Sequence, residues 1–283
     1  MTRVALVQVA SPDAESRDAR ISRVEALLRG RANEGIELFV LPELWSAGYF
    51  AFDRYDELAE ALDGPTVTMC RGVAADVRAW VHVGSFVEHA SDGALHNTTV
   101  LVDPSGRIAQ TYRKIHVFGY ESLEATLLTP GTELRVAESP LGPLGSTTCY
   151  DLRFPGLWQE LGDRGAEVAV VPAAWPAARR EHWRVLTQAR AIEHQLWVLA
   201  VNACGTQGGV ELGGCSRVID PWGQVLVECS PSEEEIAIVD VDRRLAARVR
   251  DEFPVRADRL PAGGYRALSG GDCRGNAEER GDA

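Results

Sequence analysis

Two stretches of this chain, 130 residues apart, repeat one pattern: a run of apolar residues followed by Pro-x-x-Trp. Residues 35–45 read Gly-Ile-Glu-Leu-Phe-Val-Leu-Pro-Glu-Leu-Trp, and residues 165–175 read Gly-Ala-Glu-Val-Ala-Val-Val-Pro-Ala-Ala-Trp. A second pair of segments, 102–108 and 219–225, matches at an offset of 117 and contains the Asp-Pro-x-Gly sequence of a tight turn. The two halves of the chain are therefore predicted to contain the same strands, helices and hairpin.

This repeat constrains the architecture because its strands are apolar along nearly their whole length. Such strands are typical of sheets that are covered on both faces. Two units of this kind bury most apolar surface when their sheets stack face to face and their helices lie outside. We therefore predict an α/β fold, a four-layer α-β-β-α sandwich built from two similar halves. Two tandem units without a shared core are the less favoured alternative, because their strands would be covered on one face only.

We assign residues 1–267 to this single domain and residues 268–283, rich in glycine and acidic residues, to a mobile polar tail. Within the first half, residues 81–87 alternate in polarity and are predicted to form one strand. Residues 97–102 and 107–113 flank a turn sequence and predict a hairpin.

Composition excludes several classes of function. The chain has 283 residues and a formal net charge of −12, which argues against nucleic acid or an anionic membrane as a partner. It contains no apolar run of membrane-spanning length, and the first ten residues lack a signal peptide's long apolar region, so a cytoplasmic protein is expected. The six cysteines include no C-x-x-C pair and are expected to be free thiols. The six histidines include no H-E-x-x-H motif. His82, His89 and His96 lie seven residues apart, a spacing that suits one helix face, but this region is predicted to be strand, so no metal site is predicted.

Cys149 lies between a predicted strand end and a predicted helix. Ser146–Thr148 are small and β-inclined, and Pro155 suits the first turn of a helix. A residue at such a bend can present its side chain above a sheet edge, as nucleophilic serines do in other hydrolases. Cys149 is therefore a candidate nucleophile, since a thiolate is intrinsically reactive. The alternative is a small buried apolar residue, which is the usual role of a free cysteine.

Charged residues also follow predicted strands. Glu43 comes directly after a buried strand, where site residues of α/β folds are commonly found. Its counterpart in the second half is Ala173, so the repeat itself does not need a carboxylate there, and a functional role is favoured over a solvated charge. Lys114 follows the hairpin, although a surface lysine is the commoner outcome. Glu121 and Glu124 come next, in a short loop.

The motifs that contain these residues resemble the nitrilase, or carbon–nitrogen hydrolase, superfamily. They are Leu-Pro-Glu-Leu-Trp-Ser-Ala-Gly-Tyr at 41–49, Tyr-Arg-Lys-Ile-His at 112–116 and Thr-Cys-Tyr-Asp-Leu-Arg-Phe-Pro at 148–155, with further similarity at 172–175, 188–191 and 201–202. The resemblance runs from about residue 3 to about residue 250 and is closest to the ω-amidase and deaminated-glutathione-amidase branch. It implies the same sandwich fold, a Glu-Lys-Cys catalytic set, no cofactor, and a homodimer or higher homo-oligomer.

Carried over by position, the resemblance assigns the catalytic set to Glu43, Lys114 and Cys149. A second glutamate is best matched by Glu124, with Glu121 as the competing choice. These residue types suit amide hydrolysis, which needs a nucleophile, a base for its proton, and donors for the developing oxyanion. The oxyanion donors are expected to be the Lys114 ammonium and the backbone N–H of Tyr150. A small carboxamide would be cleaved to a carboxylate and ammonia through a thioester.

The substrate is less closely constrained. The ω-amidase branch hydrolyses small terminal amides of 2-oxo acids. Residues expected to contact the substrate are Tyr49, Tyr120, Arg153 and Trp175, and Trp45 is expected to line the pocket beside them. The alternative role for Arg153 is a structural salt bridge with Asp151. The alternative role for Trp45 and Trp175 is packing in the core, because the repeat contains this tryptophan in both halves. An N-carbamoyl amino-acid amidohydrolase or a true nitrilase would use the same three catalytic residues. A catalytically silent binding module on this scaffold is the non-enzymatic alternative.

Overall fold

The computed structural model describes residues 1–260, and its strands fall into two large sheets and one small hairpin. The strands are β1 (Thr2–Gln8), β2 (Leu38–Val40), β3 (Trp80–His82), β4 (Phe86–His89), β5 (Leu95–Val102), β6 (Ile108–Arg113), β7 (Val136–Ala137), β8 (Leu144–Ser146), β9 (Val168–Ala173), β10 (Trp197–Asn202), β11 (Thr206–Gln207), β12 (Val210–Glu211), β13 (Arg217–Ile219), β14 (Val225–Glu228) and β15 (Glu235–Val241). The α-helices are α1 (Arg17–Arg29), α2 (Tyr55–Leu58), α3 (Pro65–Val77), α4 (Glu124–Leu127), α5 (Pro155–Asp163), α6 (Arg180–His194) and α7 (Leu245–Glu252). Short 3-10 helices cover Phe52–Arg54, Cys149–Arg153 and Ala177–Arg179.

The two large sheets repeat one topology. The first has the order β15-β1-β2-β3-β5-β4, with β6 also paired to β5, and the second has the order β14-β13-β10-β9-β8-β7. In each sheet three neighbouring strands run parallel, β1-β2-β3 in the first and β8-β9-β10 in the second. Strands β2 and β9, which come from the repeated segments, occupy the same central place. The predicted hairpins are also present, as β5–β6 and β13–β14.

The sheets pack against each other and share one apolar core. Side chains such as Leu6 and Val40 of the first sheet lie in one buried cluster with Val170 and Leu199 of the second. Helices α1 and α3 cover the outer face of the first sheet, and α5 and α6 cover that of the second. The predicted four-layer sandwich is therefore confirmed, and the tandem alternative without a shared core is wrong. Each fully buried aliphatic side chain contributes roughly 1.5–3 kcal/mol to this packing.

Local sequence signals fix where several helices begin. The Ser16 side chain accepts a hydrogen bond from the N–H of Ala19 at 3.3 Å, so Ser16 caps α1. Pro65 and Pro155 occupy the first turns of α3 and α5, where the missing proline N–H has no cost.

The prediction of a single strand over residues 81–87 is wrong. The segment is split into β3 and β4 at Gly84, which has φ +72°. A Cβ on this glycine would lie 2.0 Å from the carbonyl oxygen of Pro42. The loop that follows β2 therefore crosses this point at backbone contact, and the chain must bend away from it. Ser85 holds the loop on either side of Glu43, because its N–H donates to the Pro42 oxygen at 3.1 Å and its hydroxyl accepts the Leu44 N–H at 3.0 Å.

The predicted polar tail, residues 268–283, lies outside the described residues. None of the helices within residues 1–260 is long and apolar enough to cross a membrane.

Candidate active site

Cys149 opens the 3-10 helix that follows β8. The N-cap is Thr148, whose backbone N–H donates to the Asp151 carboxylate at 2.9 Å and whose carbonyl oxygen accepts the Asp151 N–H at 2.9 Å. Cys149 adopts φ +44°, a conformation that costs a residue with a side chain on the order of 1–3 kcal/mol. Its side chain is 8% exposed and lines a cavity. The sequence prediction of a thiol presented at a bend is thus matched by the geometry.

Asp151 holds this strained turn in place. Its buried carboxylate accepts hydrogen bonds from the Tyr112 hydroxyl at 2.7 Å, from the His116 N–H at 2.9 Å and from the Thr148 N–H at 2.9 Å. Because Tyr112 belongs to β6, these contacts tie the Cys149 turn to the strand that leads into Lys114. The alternative of a salt bridge between Arg153 and Asp151 is wrong, since the Asp151 carboxylate is turned inward to these donors.

Arg190 of α6 binds the other end of the turn. The Arg190 guanidinium donates to the carbonyl oxygen of Leu152 from Nη2 at 2.9 Å and from Nε at 3.1 Å. This contact gives a structural role to the Gln-Ala-Arg-Ala segment at 188–191.

Glu43, Lys114 and Glu124 form a buried cluster of three charges. The Lys114 Nζ lies 2.9 Å from Glu43 Oε1 and 2.8 and 2.9 Å from the two oxygens of Glu124. The other oxygen of Glu43 accepts the N–H of Ala174 at 2.8 Å. Ala174, directly after the repeated strand of the second half, therefore contacts Glu43, which follows the corresponding strand of the first half.

Burial and charge perturb the protonation of this cluster. Loss of solvent raises the pKa of Glu43, and the neighbouring Lys114 ammonium only partly opposes it. Burial disfavours the charged form of Lys114, but the carboxylates of Glu124 and Glu43 outweigh this and hold its pKa well above the ordinary value. Burial and the Glu43 carboxylate raise the pKa of the Cys149 thiol well above its ordinary value. The resting site at neutral pH therefore contains a thiol and an ammonium.

The choice between the two candidate glutamates follows from their positions. Glu124 begins α4, is fully buried, and accepts hydrogen bonds from Lys114, from the Tyr49 hydroxyl at 2.9 Å and from the Phe118 N–H at 2.9 Å. Glu121 has φ +49° and an exposed side chain at the cavity wall. The structure thus brings Glu124, and not Glu121, to Lys114.

Asn97 is a site residue that sequence reasoning missed. Its Nδ2 donates to Glu43 Oε1 at 2.8 Å and to Glu124 Oε1 at 3.1 Å, and its backbone oxygen accepts the Lys114 N–H at 2.8 Å. The sequence signal was weak, because Asn97 lies among the other polar residues of β5, His96, Thr98 and Thr99, and only its burial shows that it needs partners.

The cavity above the cluster has a volume of about 360 Å³. Its walls include all four predicted contact residues, Tyr49, Tyr120, Arg153 and Trp175, together with residues that were not predicted: Phe50, Phe52, Phe118 and Arg179. Tyr120 is 65% exposed at the rim. The side chain of Tyr150 also lines the cavity, and its backbone N–H lies in the first turn of the 3-10 helix, where N–H groups lack intrahelical acceptors.

The two repeated tryptophans have different environments. Trp45 is fully buried in the core and donates its indole N–H to the Val83 carbonyl at 2.8 Å. Trp175 packs into the core and also reaches the cavity, where the Arg153 guanidinium lies 4.5 Å from its ring centroid. Asn202 fixes the Trp175 backbone through bonds to its N–H at 2.6 Å and its carbonyl at 3.2 Å. The expectation that Trp45 lines the pocket is therefore wrong, because its side chain is fully buried in the core away from the cavity walls, whereas Trp175 both packs in the core and lines the cavity.

Comparison with known proteins places this architecture in a family. The carbon–nitrogen hydrolase family matches residues 3–251. A 2-oxoglutaramate amidase of Paenarthrobacter nicotinovorans is 40% identical over 263 residues, 90% of this chain and 88% of that protein. A deaminated glutathione amidase of Dictyostelium discoideum is 32% identical over 90% of this chain and 92% of its own length. The crystal structure of XC1258 from Xanthomonas campestris, described as a CN-hydrolase superfamily protein with an arsenic adduct in the active site, is 30% identical. It superposes with a TM-score of 0.84 over 92% of this chain and 97% of that one. This chain belongs to the carbon–nitrogen hydrolase family.

Proposed function

We propose that this protein is an amidase that hydrolyses a small carboxamide to a carboxylate and ammonia through a thioester on Cys149. The observation that carries the proposal is the position of the Cys149 thiol in the wall of a cavity, beside the buried cluster of Glu43, Lys114 and Glu124. Relatives that this chain matches over most of their length are named 2-oxoglutaramate amidase and deaminated glutathione amidase. By analogy with the 2-oxoglutaramate amidase, the proposed substrate is a terminal amide of a short oxo acid.

In the first half-reaction Glu43 takes the proton from the Cys149 sulfur as the thiolate attacks the amide carbon. The carbonyl π electrons move to oxygen, and the oxyanion is held by the Lys114 ammonium and the Tyr150 N–H. The Lys114 ammonium has three N–H donors. One binds Glu43 and one is shared by the two oxygens of Glu124, so the third is free for the oxyanion. Glu124 acts by orienting Lys114.

Collapse of this intermediate breaks the carbon–nitrogen bond. Protonated Glu43 returns its proton to the departing nitrogen, so ammonia leaves and a thioester remains. Glu43, again a carboxylate, then takes a proton from a water that attacks the thioester carbonyl. When the carbon–sulfur bond breaks, protonated Glu43 returns its proton to the Cys149 thiolate, and the carboxylic acid product loses its own proton to solvent and leaves as a carboxylate.

The raised pKa of Glu43 sets an expected pH dependence. Because the base must be unprotonated to accept the Cys149 proton, kcat/KM should fall as the pH drops through the pKa of the site. Since burial raises that pKa above the ordinary 4.5, the acid limb should lie above pH 4.5. Because the groups of the cluster titrate together, the midpoint of this acid limb is a property of the whole cluster and not of one residue. Thermal unfolding measured over the same pH range is the control, and an acid limb at or below 4.5 in folded protein would contradict the assignment.

A substrate panel tests the proposed reaction. Ammonia release from purified protein should be fastest with ω-amides of short dicarboxylic or oxo acids. Faster turnover of N-carbamoyl amino acids or of nitriles would indicate the N-carbamoyl amidohydrolase or nitrilase alternative with the same residues. If no compound in the panel released ammonia, the alternative of a catalytically silent binding module would be favoured.

Three further assignments are also proposals. We propose that residues 1–267 form one domain, supported by the shared core and the family match. We propose a cytoplasmic location, supported by the free thiols of Cys70, Cys149, Cys204, Cys215 and Cys229.

We also propose a homodimer, formed through an apolar face on and beside α6. Trp222 and Phe253 stack at 6.2 Å between ring centroids while 49% and 54% exposed, and Val185 and Ile192 are exposed on α6 itself. Exposed apolar groups of this size are typical of interaction surfaces. Analytical ultracentrifugation of the purified chain would test the oligomeric state.

A further inference from the structure

We propose that Asn97 is a positioning residue for the reaction, whose side-chain amide orients Glu43 so that one carboxylate oxygen is left to take the Cys149 proton. Asn97 is not among the described residues that line the cavity, so it would act through Glu43 and not on the substrate. This inference rests on the proposed amidase function and adds to it a residue outside the motifs identified in the sequence.

Asn97 is placed to act on both the main chain and the side chains of the site. It lies in β5, where it pairs with Val87 of β4, and its side chain is 1% exposed. Its backbone oxygen accepts the Lys114 N–H at 2.8 Å, directly after the end of β6. One residue therefore fixes the backbone of Lys114 and also contacts the carboxylates that Lys114 binds.

The Asn97 amide and the Lys114 ammonium bind the same two carboxylate oxygens. Asn97 Nδ2 lies 2.8 Å from Glu43 Oε1 and 3.1 Å from Glu124 Oε1. Lys114 Nζ lies 2.9 Å and 2.8 Å from the same two atoms. The two nitrogens and two oxygens therefore form a closed ring, which uses both N–H donors of the amide. Asn97 Oδ1 has no hydrogen-bond partner among residues 1–260, so these two donors are what tie the amide to its surroundings.

This ring decides which oxygen of Glu43 can act as the base. Each carboxylate oxygen has two lone pairs. Those of Oε1 are occupied by Lys114 and Asn97, whereas Oε2 accepts the Ala174 N–H at 2.8 Å. Burial and the Glu43 carboxylate raise the pKa of the Cys149 thiol, which shows that the carboxylate acts on this sulfur. Oε2 is therefore the oxygen with a lone pair left for the thiol proton.

A neutral donor suits this position better than a second cation. Glu43 and Glu124 are two buried carboxylates beside one ammonium, so further donors are needed to keep them ionised. A cation would also supply donors, but it would lower the proton affinity that a base needs. The amide serves both carboxylates without using the Lys114 N–H that is left for the oxyanion.

The test follows the acid limb of two pH profiles: kcat/KM for the amide that the parent hydrolyses fastest, and the rate of Cys149 alkylation by iodoacetamide. A hydrogen bond to a carboxylate favours its ionised form, so Asn97→Leu, which is similar in size but has no donor, should raise the pKa of the cluster. Because the base acts in its unprotonated form, both limbs should move to higher pH by about one unit. Above the limb, kcat/KM should be about tenfold lower, because Glu43 is less well oriented.

Thr99→Val is the matched control for this experiment. Thr99 lies two positions along β5, on the same face of the strand, and is also 1% exposed, but its hydroxyl lies 3.2 Å from His82 Nε2, outside the cluster. Thr99→Val should leave both limbs at the parental pH. Asn97→Ala also lacks the two donors and adds no bulk, so it should shift both limbs in the same direction as Asn97→Leu and decides the question if Asn97→Leu does not fold.

The outcomes separate this role from a structural one and from the proposed function. A structural role alone would lower the urea concentration at which the variants unfold and leave both limbs at the parental pH, and that result would overturn the proposal. A shifted alkylation limb in a protein that hydrolyses no amide of the panel would support the role of Asn97 and count against the proposed function alone. Ammonia release by the parent, with unshifted limbs in Asn97→Leu and Asn97→Ala, would overturn the role of Asn97 and leave the proposed function standing.

Discussion

Replacing Cys149 with alanine is expected to lower the rate of ammonia release by about 10,000-fold or more, as the loss of the nucleophile does in other covalent hydrolases. The expectation follows from the position of the thiol. Cys149 is the one cysteine among the described residues that line the cavity, and the Glu43 carboxylate is close enough to raise its pKa. The substitution removes only the sulfur and keeps the Cβ at φ +44°. The free energy of unfolding should therefore change by less than about 2 kcal/mol.

Cys215 offers a matched control for this experiment. It too is a buried cysteine with a left-handed backbone, at φ +54°, but its sulfur lies 3.6 Å from the Arg184 guanidinium and outside the cavity wall. Cys215→Ala should keep the parental rate within a few-fold. Equal ammonia release by Cys149→Ala and the parent protein would rule out the thioester mechanism.

Lys114→Ala should remove both activity and stability. Loss of one oxyanion donor typically lowers the rate about 100- to 1,000-fold. The structure adds a second effect, because the substitution would leave the carboxylates of Glu43 and Glu124 buried without their cation. Breaking a buried ion pair in this way costs about 3–5 kcal/mol, which should appear in the free energy of unfolding measured by urea denaturation.

A double variant distinguishes the two effects. Lys114→Ala with Glu124→Gln removes one of the stranded charges and should regain part of the lost stability while remaining as inactive as the single variant. If Lys114→Ala unfolded at the parental urea concentration, the buried charge cluster would be contradicted. If the variant retained full activity, the proposed role of Lys114 at the oxyanion would be contradicted.

Lys114 was assigned to the site by the family resemblance, since its local sequence favoured a surface lysine. The repeat, by contrast, predicted both the layers of the fold and the position of Glu43. It places the ends of corresponding strands at one edge, where Glu43 contacts Ala174 of the second half. The contrast between Glu43 and Ala173 in the repeat singled out the carboxylate. These signals are local or periodic, so they can be read without coordinates.

The contacts that were missed join residues far apart along the chain. Asn97 bridges Glu43, 54 positions away, and Glu124, and Asp151 binds Tyr112, 39 positions away. Neither pairing has a periodic signature, which is why Asp151 could be mistaken for a partner of Arg153. The break at Gly84 likewise depends on the approach of Pro42, in the loop that follows β2. Loss of rate in Lys114→Ala could be expected from residue type, but its loss of stability required knowledge of burial.

The most direct test of the central proposal follows inactivation and labelling together. Purified protein is treated with iodoacetamide, and residual ammonia release is compared with the labelled fraction of each cysteine by peptide mass spectrometry. The account predicts that activity falls in proportion to the labelling of Cys149, and that an amide substrate slows both equally. Protein that is fully labelled at Cys149 and still releases ammonia at the parental rate would contradict it.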